Sequence, residues 1–193
     1  MTVLETARLT LRLLTPDDRK AIREILQDSR VMYAYEGAFT YEMVQTWLDR
    51  QLQRYTREGC GLWAVISKET GSLIGQCGVT LQQIPTGTVH EVGYLFRHDH
   101  WHKGYASEAA LACRDYAFDA LDAPKVYAII RDSNIPSQRV AMRMGMKPEG
   151  SFTKHYRGIE MPHVIFSVTR EECVQKQEIK KQEARNLPPC CSP

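Results

Sequence analysis

No stretch of the chain approaches the roughly 20 consecutive apolar residues that a bilayer-spanning helix needs. The opening residues, MTVLETARLTLRL, alternate instead of forming an apolar block, so no secretory leader is expected and a cytoplasmic protein is inferred. A strong charge of one sign is also lacking. With 25 Lys and Arg against 23 Asp and Glu, the formal net charge of +2 is too small to imply a nucleic-acid or membrane surface. Metal-ligand spacing is missing as well: the six cysteines, Cys60, Cys77, Cys113, Cys173, Cys190 and Cys191, show no zinc pattern, and no metal is expected. Inside a cell disulfides are disfavoured. Cys77 and Cys113 therefore read as small core residues, and the Pro-flanked Cys190-Cys191 pair as incidental. There is no internal repeat. What remains is 193 residues, 43% hydrophobic and 25% charged, enough for one domain with a real core.

The patterning that is present divides this chain into short elements. Leu9, Leu11 and Leu13 alternate with Arg8, Thr10 and Arg12 as in a half-buried first strand. Thr15-Pro16-Asp17-Asp18 starts a helix that runs to about Ser29. Thr40 caps a second helix ending near Arg57, with Met43, Val44, Trp47, Leu48 and Leu52 on its apolar face. Strands follow over 62–68 and 72–81, joined by Glu69-Thr70-Gly71. A loop is expected over 82–87. From His90 the chain is a strand with Val92, Tyr94 and Phe96 on one face and Glu91, Gly93 and Leu95 on the other. A helix comes next, with Ala106, Ala109, Ala110, Cys113, Ala117 and Leu121 at three- and four-residue steps. A strand over 126–130, a short helix beginning near Pro136 and stopped by Gly145, and two final strands complete the order. This succession predicts mixed α/β layers, a single domain over 1–172 with a sheet of about seven strands and helices on both faces. The polar remainder, 173–193, reads as a tail, with a solvated helix over 175–185 and disorder over 186–193.

The stretch 90–109, HEVGYLFRHDHWHKGYASEA, is the most informative. Its strand turns into its helix at Lys103-Gly104-Tyr105-Ala106, where small residues admit a ligand to the backbone and the first helical N–H groups have no partners. The macrodipole and those donors together favour an anion, with His102 and Lys103 alongside to add charge. An ordinary strand-to-helix turn has the same appearance. A second segment, from Asn134 through Ser137 to Gly145-Met146, is a short capped helix in which Asn134 and Ser137 are natural capping residues.

Taken together, E-V-G-Y followed by W-H-K-G-Y-A-S-E-A, and N-x-x-S-x-x-x-x-x-x-x-G-M about thirty residues on, resemble the GNAT N-acetyltransferases, in particular the RimJ/RimL-like branch. The resemblance spans roughly residues 5–170 and departs at His102, where the branch usually has Gly and where a side chain restricts φ. It implies that acetyl-CoA is the co-substrate, bound by Val92, Gly93, Tyr94, Leu95, His102, Lys103, Gly104, Tyr105, Ala106, Ser107, Asn134 and Ser137. It also implies direct attack by a primary amine, either a small molecule or a protein N-terminus, with no covalent enzyme intermediate. Tyr33, Tyr35 and Glu36 become candidate acceptor contacts, although these aromatics could equally just cover the sheet.

An alkyl amine with a pKa near 10.4 must lose a proton before it attacks, so a base is required. Glu91 is the first candidate and needs its pKa raised by burial; a solvent-facing strand carboxylate is the plainer reading. His155 is the second, since an imidazole is the side chain whose ordinary titration range lies near neutrality. Ser137 is implied at the leaving sulfur, with Tyr156 in reserve. A catalytically silent acyl-CoA sensor of the same fold, or a protein binding another nucleotide at the Gly104 turn, stays open, as does the choice between monomer and homodimer.

Overall fold

The alternation at the start of the chain forms two strands, not one. In the computed structural model, which describes residues 1–156, 158–175 and 178, β1 (Thr2–Glu5) and β2 (Leu9–Arg12) pair as an antiparallel hairpin. Thr6 closes it: its amide donates to the Leu9 carbonyl at 2.9 Å, and its hydroxyl accepts from the Leu9 amide at 3.0 Å. Among the described residues the sheet consequently has eight strands, where about seven were expected, in the order β1-β2-β3-β4-β5-β6-β8-β7.

The remaining strands are β3 (Leu62–Ser67), β4 (Leu73–Ile84), β5 (Gly87–Phe96), β6 (Lys125–Arg131), β7 (Lys147–Tyr156) and β8 (Ile159–Thr169). The loop expected over 82–87 is largely strand. Gln82, Gln83 and Ile84 pair with Val89, Thr88 and Gly87, and only Pro85 and Thr86 turn the chain. The positive φ of Gly87, 129°, allows so tight a reversal. All strand pairs are antiparallel except β5 with β6.

Helices cover both faces. A 3-10 turn, Pro16–Asp18, leads into α1 (Arg19–Leu26), which stops three residues short of the expected Ser29. Asp18 fixes this start by accepting from the Thr15 amide at 2.8 Å and from both Arg12 guanidinium nitrogens at 2.7 Å. Thr40 caps α2 (Tyr41–Arg57) by accepting from the Met43 amide. These two helices bury Ile22, Ile25, Leu26, Val44 and Leu48 against Ala64 and Leu73 on one face of the sheet. Across the sheet, α3 (Tyr105–Asp119) brings Ala109, Ala110, Cys113 and Ala117 against Leu9, Leu11, Trp63, Cys77, Val79 and Val92. Small residues along α3 let it lie close to the strands, so the sulfurs of Cys77 and Cys113 meet at 3.5 Å inside the core.

Helix α4 (Ile135–Arg143) ends before Gly145, whose φ of 88° matches the left-handed stop read from the sequence. Arg114, almost fully buried on α3, donates to the Met144 carbonyl at 2.5 Å and ties the end of α4 to α3. Among the described residues no helix is long and apolar enough to cross a membrane. Of the tail expected over 173–193, Cys173, Val174, Gln175 and Glu178 are described, and residues 170–175 are helical; the rest, with Cys190 and Cys191, lies outside the described residues.

Gly78 on β4 marks where the sheet is tightest, because a Cβ there would stand 2.1 Å from the Gly61 carbonyl oxygen and 2.9 Å from the Leu62 Cα. Gly78→Ala is expected to lower the unfolding free energy by about 1–3 kcal/mol or more, since neighbouring backbone must move. Urea denaturation of the purified variant measures this.

Candidate active site

The site is created where two neighbouring strands part. β5 and β6 share only the rungs His90–Val126 and Glu91–Tyr127. Past Glu91, β5 continues to Phe96 paired with β4 alone, while β6 follows β8 as far as Arg131. The backbone of β5 from Val92 onward is therefore open on the β6 side, and unmet peptide groups there would each cost about 1–3 kcal/mol if buried dry. The two cavities that flank the opening both include Tyr94, Leu95, Asn134 and Ser137 in their walls.

One cavity, of about 500 Å³, runs from β5 across to the N-terminus of α3 and the flank of α4. Gly104 precedes α3 at φ 83°. The first helical bond joins the Glu108 amide to the Gly104 carbonyl at 3.0 Å. The amides of Tyr105, Ala106 and Ser107 find no acceptor among the described residues, so three donors and the helix dipole face the cavity. Diphosphate chemistry fits such an end.

The corner is held from below by the β1–β2 hairpin. Glu108 accepts from the Thr6 hydroxyl at 2.6 Å, from the Arg8 amide at 2.9 Å and from Arg8 Nε at 2.7 Å. Burial alone would raise the Glu108 carboxyl, but Thr6 and Arg8 hold it below the usual range. Arg8 also donates to the Lys103 carbonyl at 3.0 Å and lies 4.5 Å from the centre of the Tyr105 ring. The acid in the first turn is thus neutralised in place and leaves the anion site positive.

His102 lines this cavity with its backbone at φ 60°, a left-handed conformation that a side chain strains. The Lys103 side chain is not in the wall. The cations that are, Arg139 and Arg143, were missed in the sequence; they stand four residues apart on α4, and Arg143 donates to the Ser107 hydroxyl at 3.3 Å. That i, i+4 pair opposite the Gly104 turn was the available signal.

The other cavity, of about 400 Å³, opens beneath α2 and the segment before it. Glu91 stands in its wall at the last rung of the β5–β6 ladder, where its Oε1 accepts from the Ile129 amide at 3.1 Å. Burial pushes the Glu91 carboxyl up, against the opposing effects of Lys154, the Ile129 amide, Arg54 and Thr80. Tyr35 belongs to the same enclosure. Although 41% of its surface is exposed, its hydroxyl is pushed above the usual range by burial and by the nearby Glu91 and Tyr156.

The other expected residues separate. Tyr156 lines this cavity, and His155 stands at its rim with 77% of its side chain exposed and Nδ1 3.8 Å from Glu160. Glu36 is outside both walls, ion-paired with Arg131. Tyr33, expected with the acceptor residues, lines the cavity at α3 instead, where its hydroxyl donates to Asn134 Oδ1 at 2.7 Å. Asn134 does cap α4, accepting from the Ser137 amide at 3.2 Å, while the hydroxyl of the half-buried Tyr94 donates to the Ser137 carbonyl at 2.8 Å. Capping and site-building coincide: these bonds hold Ser137 at the junction of the two cavities.

The acetyltransferase (GNAT) domain profile matches residues 8–147. The chain belongs to the GNAT acetyltransferases, enzymes that use acetyl-CoA. It is 38% identical over 166 residues to the uncharacterized protein YkkB of Bacillus subtilis, covering 86% of this chain and 94% of that one. With the uncharacterized N-acetyltransferase YnaD of the same species it shares 32% identity over 152 residues, or 78% and 86% of the two chains. A crystal structure of an acetyltransferase from Agrobacterium tumefaciens matches with a TM-score of 0.75 at 27% identity, covering 88% of this chain and 95% of that one.

Two stability measurements check this geometry. Left-handed backbone costs a side chain about 1–2 kcal/mol, most for a β-branched one. His102→Gly should leave stability unchanged or raised by up to ~1 kcal/mol, and His102→Val should lower it by ~1–2 kcal/mol, in urea titrations. The raised pKa of Glu91 means that its ionised form is less favoured in the folded chain than in the unfolded one. That cost is absent below the unfolded value of about 4.3 and complete above the raised folded value. Glu91→Gln should therefore be more stable than the native chain at about pH 8 and match it near pH 4. Equal stability at both pH values would show that the carboxyl is solvated.

Proposed function

We propose that the protein transfers an acetyl group from acetyl-CoA to a primary amine by direct attack, in the manner of the RimJ/RimL-like branch. The observation that carries this reading is the meeting of two cavities at Ser137 and Tyr94, one ending on open helix amides and the other on a half-buried carboxylate. The amides of Tyr105, Ala106 and Ser107, with Arg139 and Arg143, would hold the phosphates. The open edge of β5 from Val92 to Leu95 would pair with the pantetheine arm as an added strand, and one of its amides would polarise the thioester carbonyl.

Glu91 is the base. The incoming ammonium gives a proton to Glu91, directly or through a water, and the neutral nitrogen attacks the carbonyl carbon. A C–N bond forms and the C–S bond breaks; the departing thiolate, hydrogen-bonded by the Ser137 hydroxyl, takes the second proton from the nitrogen, which leaves a neutral amide and the free thiol of CoA. A raised pKa brings Glu91 nearer the operating pH, which makes it a better base than an exposed carboxylate. Much of the rate would come from holding amine and thioester in contact. His155, at the rim, is the weaker candidate for that role, and Tyr156 stays in reserve at the sulfur. Dependence on acetyl-CoA accords with a cytoplasmic setting.

The test has two parts. Acetyl-CoA at about 100 times its Kd should stabilise the chain by ~2.7 kcal/mol in thermal melts, and ATP and NAD should not. In a thiol-release assay over an amine panel, Glu91→Gln should lose about 10²–10⁴ of kcat/KM, together with the acidic limb of the pH profile, because only the ionised carboxylate accepts a proton. Ser137→Ala should lower kcat more than it changes KM. Unchanged kinetics in Glu91→Gln, with turnover abolished in His155→Ala, would move the base to His155.

A further inference from the structure

The acceptor-side cavity is charged against the group it is built to receive. Arg50, Arg54, Arg131 and Lys154 line it, and Glu91 is the one carboxylate in its wall among the described residues. Two of these cations are occupied: Arg131 pairs with Glu36, and Arg54 Nε lies 3.6 Å from Glu58. Arg50 and Lys154 make no ion pair among the described residues. An alkylammonium ion carrying no other charge would be repelled from such a cleft, so the wall selects against a bare amine.

A second observation points the same way. Gln76 is 0% exposed, lies in the same wall, and finds no hydrogen-bond partner for either Oε1 or Nε2 among the described residues. Buried polar groups are rarely left unmet, and each one costs about 1–3 kcal/mol when it is. Gln76, Thr80 and Gln82 alternate along β4 on the face that carries Glu91 on β5, where Thr80 and Glu91 are cross-strand partners. The floor of the cavity is thus a polar stripe set in an otherwise apolar sheet. A carboxamide with both ends open offers one donor and one acceptor side by side. That is the complement of a carboxylate standing next to an amine.

We infer that the acceptor is a small amine that also carries a carboxylate, an amino acid or a close derivative, its carboxylate held by Arg50 and Lys154 and its polar end completed by Gln76. The inference rests on the acetyl-transfer reading above and names its substrate class. The volume of about 400 Å³ falls at the lower end of the range of about 300–1,000 Å³ for ligand pockets, which suits a molecule of that size. The surrounding cations also favour loss of the ammonium proton once the substrate is seated, which assists Glu91.

The experiment compares, for each side chain, the amino acid, its carboxamide and its decarboxylated amine: phenylalanine, phenylalaninamide and phenethylamine, with the corresponding methionine and lysine sets. Thiol release from acetyl-CoA is the readout. The carboxamide has the more acidic ammonium of the first two, so a preference set only by amine basicity would favour it over the acid. At least one amino acid is expected to exceed both of its partners in kcat/KM by about tenfold or more. Arg50→Gln and Lys154→Gln should raise KM for that amino acid with little change in kcat and bring the preference down to about threefold or less, while Arg50→Lys retains it.

A carboxamide or plain amine that performs as well as the acid overturns the inference, and so does an Arg50→Gln loss that falls equally on all three members of a set. Should no member of the panel turn over, thermal shifts of the enzyme–CoA complex with N-acetyl amino acids and with the matching N-acetyl amines decide it, and the absence of a preference there also overturns it. In each of these outcomes acetyl-CoA still stabilises the protein and the transferase reading stands. If acetyl-CoA itself gives no shift, that reading fails and this one with it.

Discussion

Everything at the site follows from the shortness of one strand pairing. β5 and β6 hold together for two rungs and then separate. A sheet that closed there would have buried Val92 to Phe96 between two neighbours, as an ordinary interior strand. Because β6 keeps full register with β8 instead, the separation runs into the sheet as a wedge, and unpaired peptide groups line it. Such groups must meet water or a ligand. The last rung also sets the position of Glu91, whose carboxylate is fixed by an Ile129 amide that the parting strand has just released from ladder pairing. One topological event therefore supplies both the open edge and the half-buried acid beside it.

The elements around the wedge are held by charge-assisted contacts at their ends. The hairpin at the start of the chain reaches α3 through Thr6, Arg8 and Glu108, residues about a hundred positions apart in sequence. Arg114 performs a comparable task between α3 and the end of α4. Such hydrogen bonds are individually worth about 1.5–3 kcal/mol, less where solvent reaches them. Their effect on geometry exceeds their effect on stability, because they set the angle at which the α3 N-terminus and the α4 flank face each other.

Much of this could be read from the sequence, and the failures have identifiable causes. The helices were legible because periodicity and caps agree, as with Thr40 before α2 and Asn134 before α4. The strand at 90–96 and the turn at Gly104 were legible because small residues there break the pattern where backbone is needed. The first strand was miscounted because alternation continues unbroken through Thr6 to Arg8, and only the Thr6 hydroxyl closing on Leu9 distinguishes two strands from one. Gln82 to Gly87 resembled a loop because its polar residues lie beyond the helices that cover the rest of β4. Among the residues that line the two cavities, Glu91 and Ser137 were named from the motifs, whereas Arg139, Arg143 and Gln76 were not. A cation on an exposed helix face and a glutamine within an apolar strand gain meaning only from what stands across the cavity, and that is long-range information. Tyr33, expected beside Tyr35, lines the other cavity, a placement that depends on long-range contacts in the same way.

The division of the core between the two faces of the sheet has an evolutionary reading. Helices α1 and α2 and the segment between them are anchored through one apolar cluster, whereas α3 and the strands beneath it are anchored through another. Residues on the first side can drift, lengthen or change charge while the second keeps its register, since the sheet separates them. New amines could therefore be recruited by altering one half of the molecule while the nucleotide half is inherited intact, which makes the fold a reusable handle fitted with an exchangeable tip.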